Sequence, residues 1–229
     1  MLGMPEKECV VEFRNEATNH AAIVFIHGFT GHCQETWREF PDLIKKDTTL
    51  ARWDIYSFGY NGTSLFPGIR GIYKSAAPLT TLANLFRTTM SHGRFEQYGE
   101  LAVVSHSMGG LILQRAILDD QILRQRLRFA FLFGTPNNGA KVPWFLSLFH
   151  KQLSDMSENS EFITGLRSNW NEQFGQEHSF ELVVVDAEQD EWVWHPSHDV
   201  FPHAEKYVVP GDHVSMVKPT GFDDESGVG

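Results

Sequence analysis

Two cysteines, Cys9 and Cys33, are too few for a disulfide scaffold, and they lack the spacing of metal ligands. Both are expected as free thiols. No apolar run reaches the roughly 18 to 20 residues that a membrane span requires. The opening residues 1–13 also lack the charged, apolar and small-residue order of a signal peptide. These absences point to a cytoplasmic protein whose contact with a membrane is at most transient and superficial. Blocks of Lys or Arg are missing too, and the formal charge is −10. Duplex nucleic-acid binders neutralise phosphates with clustered cations, so no nucleic-acid partner is expected. No repeat, low-complexity tract or linker divides the chain, which reads as one domain over 1–229. At 41% hydrophobic and 21% charged residues, the composition is too apolar for disorder outside the ends. The acidic stretch 223–229 is expected to fray.

What is present is an alternation of short β-rich runs with helical stretches, the pattern of a mainly parallel sheet with helices on both faces. Strands are expected at 8–13, 22–27, 53–58, 101–105, 129–133, 180–186 and 206–209. Five of them are largely apolar, as strands buried on both faces should be. Leu79, Leu82, Ala83, Phe86 and Met90 recur at steps of three and four behind Pro78, which a first helical turn tolerates. A second stripe, Phe162, Ile163, Leu166, Trp170 and Phe174, follows a polar stretch at 157–160 that could cap it. That stripe fits either packing on the sheet or part of a lid, whose candidate span is about 137–178. Gly and Asn punctuation at 60–71 marks a loop.

The most specific signal is LAVVSHSMGG at 101–110, an apolar strand that runs through a small-residue turn into the helical run 111–118. A serine on so tight a strand-to-helix turn needs small residues two positions away on each side, and Ser105 and Gly109 supply them around Ser107. The turn lifts the Ser107 hydroxyl above the sheet, with the start of the next helix aimed at the reacting carbonyl. His106 is expected to point away from the nucleophile and to support the turn. A second signal, IVFIHGFTG at 23–31, places His27 and Gly28 where a strand leaves the sheet. The backbone N–H groups of Phe29 and Met108 could then hold an oxyanion.

A hydroxyl nucleophile needs a base, and the base needs an orienting acid, both at the same sheet edge. His213, after the last strand in YVVPGDHVSM at 207–216, is the best candidate for the base. The plain alternative is a surface-loop histidine. For the acid, Asp190 is preferred one turn beyond the strand ending LVVVD at 182–186, with Asp186 and Glu188 left open. The cluster His195, His198, Asp199 and His203 matches no zinc spacing and reads as a connecting loop. Glu191, Trp192 and Trp194 fit an acyl pocket or, more ordinarily, the alternating tryptophans are buried under a loop. Cys33 reads as a small buried filler, and no cofactor or metal is implied.

These pieces together resemble the α/β-hydrolase lipases and esterases, in particular the branch containing GPI-inositol deacylases and serine-active-site lipid-remodelling proteins. The likeness runs from about residue 21 to 219. It rests on IHGF at 26–29, SHSMGG at 105–110, FGTPNNGA at 133–140, residues 153–166 and GDHVSMVKP at 211–219. It implies an α/β-hydrolase fold with a small lid and catalytic roles for Ser107, Asp190 and His213, in that family's chain order. Where the family has glycine, this chain has Ser105. The chain also stops soon after Lys218 without an obvious closing helix, which suggests a domain cut from a longer protein, fused in some relatives to other modules.

The leading expectation is a serine hydrolase that cleaves carboxylic esters through an acyl-enzyme. The apolar residues Val142, Trp144, Phe145, Leu146, Leu148 and Phe149 favour a lipid or acyl-chain substrate. One alternative is a binding module that keeps the fold without the chemistry. Another is a hydrolase effector domain regulated by the rest of a larger protein.

Overall fold

In the computed structural model, residues 9–16, 18–60, 77–140, 151–193 and 200–221 are described. Seven strands form one sheet: β1 (Cys9–Arg14), β2 (Ala21–Ile26), β3 (Trp53–Gly59), β4 (Glu100–His106), β5 (Leu127–Phe133), β6 (Glu181–Ala187) and β7 (Glu205–Val209). Their order across the sheet is β1-β3-β2-β4-β5-β6-β7. Only β1 is antiparallel to its neighbour; the other five pairings are parallel. Every strand expected from the sequence is present, shifted at its ends by two residues at most.

The inner strands read as continuous apolar runs because both of their faces are covered. Every residue of β2 is buried, and β4 is buried from its second residue onward. One face packs against α2 (Leu79–Ser91), α3 (Met108–Asp119) and, through its apolar stripe, the helix Glu161–Phe174. On the other face, α1 (Phe40–Lys46) and the segment carrying Met216 and Val217 cover residues such as Ile23, Phe25, Val104 and Val185. Two short helices, α4 (Gln121–Arg126) and α5 (Lys151–Met156), precede Glu161–Phe174, which is α6.

Both amphipathic stripes form as the spacing predicts. Leu79, Leu82, Ala83, Phe86 and Met90 are all buried on α2, which starts directly after Pro78. On α6, Ile163, Leu166, Trp170 and Phe174 are buried, and Phe162 is partly buried against the same core. Ser160 caps α6 by accepting the Ile163 N–H at 3.1 Å, satisfying one of the amides that a helix start leaves without a partner. The apolar run at 142–149, most of the loop at 60–71 and the tail at 223–229 lie outside the described residues.

One expectation is corrected. Cys33, 2% exposed, is disulfide-bonded, and no described cysteine is free. Counting cysteines excludes a scaffold of several bridges, but one bridge needs only two residues that the tertiary fold brings together. No described helix is long and apolar enough to cross a membrane.

Candidate active site

β2, β4, β5 and β6 run side by side, so the segments leaving their C-terminal ends converge on one edge of the sheet, where ligands bind in open parallel sheets. Ser107 sits between β4 and α3 with φ 53° and ψ −124°. This left-handed backbone is costly for a residue with a Cβ. Two features hold it there: the Ser107 N–H donates to the Phe133 carbonyl at 2.8 Å, and α3 lies hard against β2. A Cβ on Gly109 would stand 2.4 Å from the Ile26 carbonyl oxygen and 2.7 Å from that of His27, so only glycine fits. Ser105 is fully buried, and its hydroxyl donates to the Phe131 carbonyl at 2.7 Å. That bond satisfies its polar atom and explains why serine is tolerated at this position.

His213 Nε2 lies 2.9 Å from Ser107 Oγ, and His213 Nδ1 lies 2.6 Å from Asp190 Oδ2. The three side chains expected to act together are therefore joined in one line. Asp190 is fixed from its other oxygen: Oδ1 accepts the backbone N–H groups of Trp192 at 2.8 Å and Val193 at 3.1 Å. Burial alone would raise its pKa. The His213 hydrogen bond and charge, followed by these two amides, outweigh that effect and hold the carboxyl below its ordinary value. Neither open alternative makes this contact. Asp186 is buried within β6, and Glu188 is exposed on the turn beyond it. Trp192 is 58% exposed, so its contribution here is its amide; burial under a loop is overturned for it. Trp194 and residues 195–199 lie outside the described residues, and His203 shares a hydrogen bond with the Gly175 carbonyl at 3.2 Å.

The loop after β2 passes directly over the nucleophile, since a Cβ on Gly28 would come 2.8 Å from Ser107 Cβ. Phe29 follows on this loop. Met108 opens α3, where the first amides have no acceptor within the helix. His27 braces the loop from beneath. Its Nδ1 lies 2.8 Å from the Gly28 carbonyl, its Nε2 lies 3.3 Å from the Tyr60 N–H, and its ring stacks on Tyr60 with centroids 4.3 Å apart. The Tyr60 hydroxyl donates to the His27 carbonyl at 2.6 Å. An amide can only donate, so Nε2 is the acceptor and Nδ1 carries the proton. Burial, the largest influence, lowers the His27 pKa and keeps the ring in that neutral form.

Two further residues were not legible as parts of the site. The His106 Nε2 donates to the His213 backbone carbonyl at 2.7 Å. Burial first, and His213 second, push its pKa down to about 3, so it is a neutral donor that fixes the loop carrying the base. Gly134, φ 51°, packs beneath the same base: a Cβ there would lie 3.0 Å from Met216 sulfur and 3.1 Å from His213 Nδ1. Gly134 opens the GTPNNG part of the 133–140 motif, and its missing side chain makes room for the imidazole. Asn137 of that run accepts a hydrogen bond from Gln114 of α3 at 2.7 Å, which anchors the turn.

The serine aminopeptidase, S33 family matches residues 17–200. The chain belongs to that family. No curated protein matches the chain. Among solved structures it is similar to the mature lipase of Bacillus licheniformis, with TM-score 0.62, 13% identity and 94% of each chain covered. It is similar as well to a lipase-esterase related protein from Clostridium acetobutylicum, with TM-score 0.62, 11% identity and coverage of 92% of this chain and 93% of that one. A carboxylesterase of Nitrososphaera gargenis gives TM-score 0.61 at 12% identity, covering 91% and 88%. At such identities the likeness concerns the fold, and the fold is that of the α/β-hydrolases. Among the described residues of this α/β-hydrolase, no group of His, Cys, Asp or Glu side chains is arranged to hold a metal ion.

Proposed function

We propose that the chain is a serine hydrolase that cleaves carboxylic esters, with lipid or other acyl compounds as substrates, through an acyl-enzyme intermediate. The observation that carries this reading is the continuous line from Asp190 Oδ2 through His213 to Ser107 Oγ, at 2.6 and 2.9 Å. In the first half-reaction Ser107 Oγ attacks the carbonyl carbon while His213 Nε2 takes its proton. The imidazolium so formed is stabilised by Asp190, and the oxyanion by the Phe29 and Met108 amides. The tetrahedral intermediate collapses, the alcohol departs with the proton held on His213, and the acyl group stays on Ser107. Water then repeats the sequence with His213 as base, releasing the acid and restoring the serine.

The lipid preference rests on the apolar run at 142–149 in the first part of the candidate lid span 137–178, whose later helix α6 packs into the core. The closer likeness to GPI-inositol deacylases rests on the 133–140 and 211–219 motifs. A binding module would have no use for a half-buried acid fixed by two amides, a base held at two points and a strained serine in one line, which favours catalysis over that alternative. The single-domain reading over 1–229, with regulation by further domains of a larger protein, belongs to the same proposal. The disulfide at Cys33 weighs against the reducing cytoplasm expected from the sequence, because such bonds persist in oxidising compartments.

The test is hydrolysis of p-nitrophenyl esters of increasing acyl length and of phospholipids, with an alanine p-nitroanilide beside them because the family description names an aminopeptidase. Turnover of esters, rising with chain length and lost in Ser107→Ala, is expected. Cleavage of the anilide alone would overturn the ester assignment.

A further inference from the structure

A cavity of about 570 Å³ lies between the loop after β2, the turn at 35–38 and the segment following His213; Ser107 does not line it, but its neighbours His106 and Gly28 do. Gly28 and Phe29 form one wall, so the cavity and Ser107 share the same stretch of backbone. Two cations, Arg38 and Lys218, line it from different parts of the chain. Among the described residues neither forms a salt bridge. The other titratable groups on its walls are Glu35, His32 and His106, and His106 is held neutral. With one carboxylate against two cations, the lining is positive in a chain whose formal charge is −10.

Like charges facing one space repel, and their convergence is costly unless an anion joins them. The pKa of Lys218 is lowered, first by burial and then by Arg38, with Asp212 opposing; the two cations therefore act on the same space. The backbone is also held in a disfavoured form at this place. Among the described non-glycine residues only four have positive φ, and Thr30 and Arg38 on this cavity, together with Ser107, are three of them. Such strain persists where the surroundings over-determine a conformation, as at binding sites.

We propose that this cavity binds an anionic oxygen group of the substrate, a carboxylate or phosphate, so that the enzyme prefers esters carrying a negative charge. Arg38 would supply forked donors and Lys218 a point charge. The inference rests on the ester-hydrolase reading of the adjoining site.

The test compares kcat/KM for lysophosphatidic acid and the monoacylglycerol of the same chain length, and for the p-nitrophenyl half-ester of adipic acid and p-nitrophenyl hexanoate. Wild type is expected to favour the anionic member of each pair about tenfold or more. That ratio should fall about tenfold in Lys218→Gln and in Arg38→Gln, with Arg38→Lys retaining part of it. The thermal midpoint of each variant controls for folding, and Lys218→Gln stands as the second test should Arg38→Gln fail to fold. Ratios near one in wild type, or unchanged in both variants, would overturn the inference while the ester reading stands. Inhibition by inorganic phosphate that needs both cations, without any preference for anionic esters, would also overturn it in favour of a site for a free anion. Absence of turnover on all four esters would remove the ester reading itself.

Discussion

Replacing Asp190 with Asn changes the site at one atom and leaves its shape. In the protein as it stands, Oδ1 accepts two amides and Oδ2 accepts the His213 Nδ1 proton at 2.6 Å. The amide oxygen of Asn can keep both backbone bonds. The NH2 group then faces Nδ1 and requires it to be an acceptor, which moves the imidazole proton to Nε2. Nε2 lies 2.9 Å from Ser107 Oγ, so the atom meant to remove the serine proton would carry one already. Stabilisation of the imidazolium is lost as well. Together these should lower kcat by about three to four orders of magnitude, equivalent to roughly 4 to 5.5 kcal/mol of transition-state stabilisation, with KM little changed. Steady-state kinetics on a short p-nitrophenyl ester, beside a urea unfolding curve to confirm the fold, measure this directly. Asp186→Asn and Glu188→Gln are expected to keep kcat within about tenfold. The reasoning is refuted if Asp190→Asn keeps a tenth of the wild-type kcat, or if Asp186→Asn loses it at unchanged stability.

Acid should weaken the fold through His106. Its folded pKa is about 3 against an ordinary 6.5, so below 6.5 the unfolded chain binds a proton that the folded chain does not. Stability is then complete above 6.5 and falls with pH at about 1.4 kcal/mol per unit, or roughly 2 kcal/mol by pH 5; His27, lowered in the same direction, adds to the loss. Urea unfolding of His106→Gln, which keeps an N–H donor but cannot titrate, should show a shallower acid loss than wild type, and an identical slope would contradict this. Gly109→Ala drives a Cβ into the Ile26 and His27 carbonyl oxygens, backbone atoms that cannot swing aside, and should cost about 1–3 kcal/mol in unfolding free energy; an unchanged thermal midpoint would contradict the close packing. His27→Phe preserves the stacking on Tyr60 and removes the bond to the Gly28 carbonyl, so kcat should fall about tenfold to a hundredfold with KM held. A raised KM at constant kcat would show that the loop binds substrate instead.

The strands, both long amphipathic stripes and the turn at Ser107 were legible because each depends on local chemistry: apolar runs, 3.6-residue spacing, and small residues around a strained serine. The pairing of Asp190 with His213 could be proposed but not chosen from sequence alone. Asp186, Glu188 and Asp190 differ only in where a short turn aims them, and that turn is set by the Asp190 N–H bond to Ala187 and the Gln189 N–H bond to Gly211. The supporting residues were hidden for a similar reason. Nothing local to His106 tells that it reaches a carbonyl 107 positions away, and Gly134 is required to be small by a ring contributed from another strand's loop. Ser105, the departure from the family's glycine, is explained only when the Phe131 carbonyl beside it is seen. The Cys33 disulfide escaped the count because pairing depends on tertiary distance, which cysteine number does not report.

The central claim is that Ser107 is an activated nucleophile, and covalent labelling tests it most directly. A fluorophosphonate probe should phosphonylate the folded protein at a single site, with loss of fluoride, and peptide mass spectrometry should place the adduct on Ser107. Ser107→Ala should abolish labelling, and His213→Ala should reduce its rate by orders of magnitude, since the members of such a line act as a unit. Failure of the folded wild-type protein to label, or an adduct on a residue other than Ser107, would contradict the account.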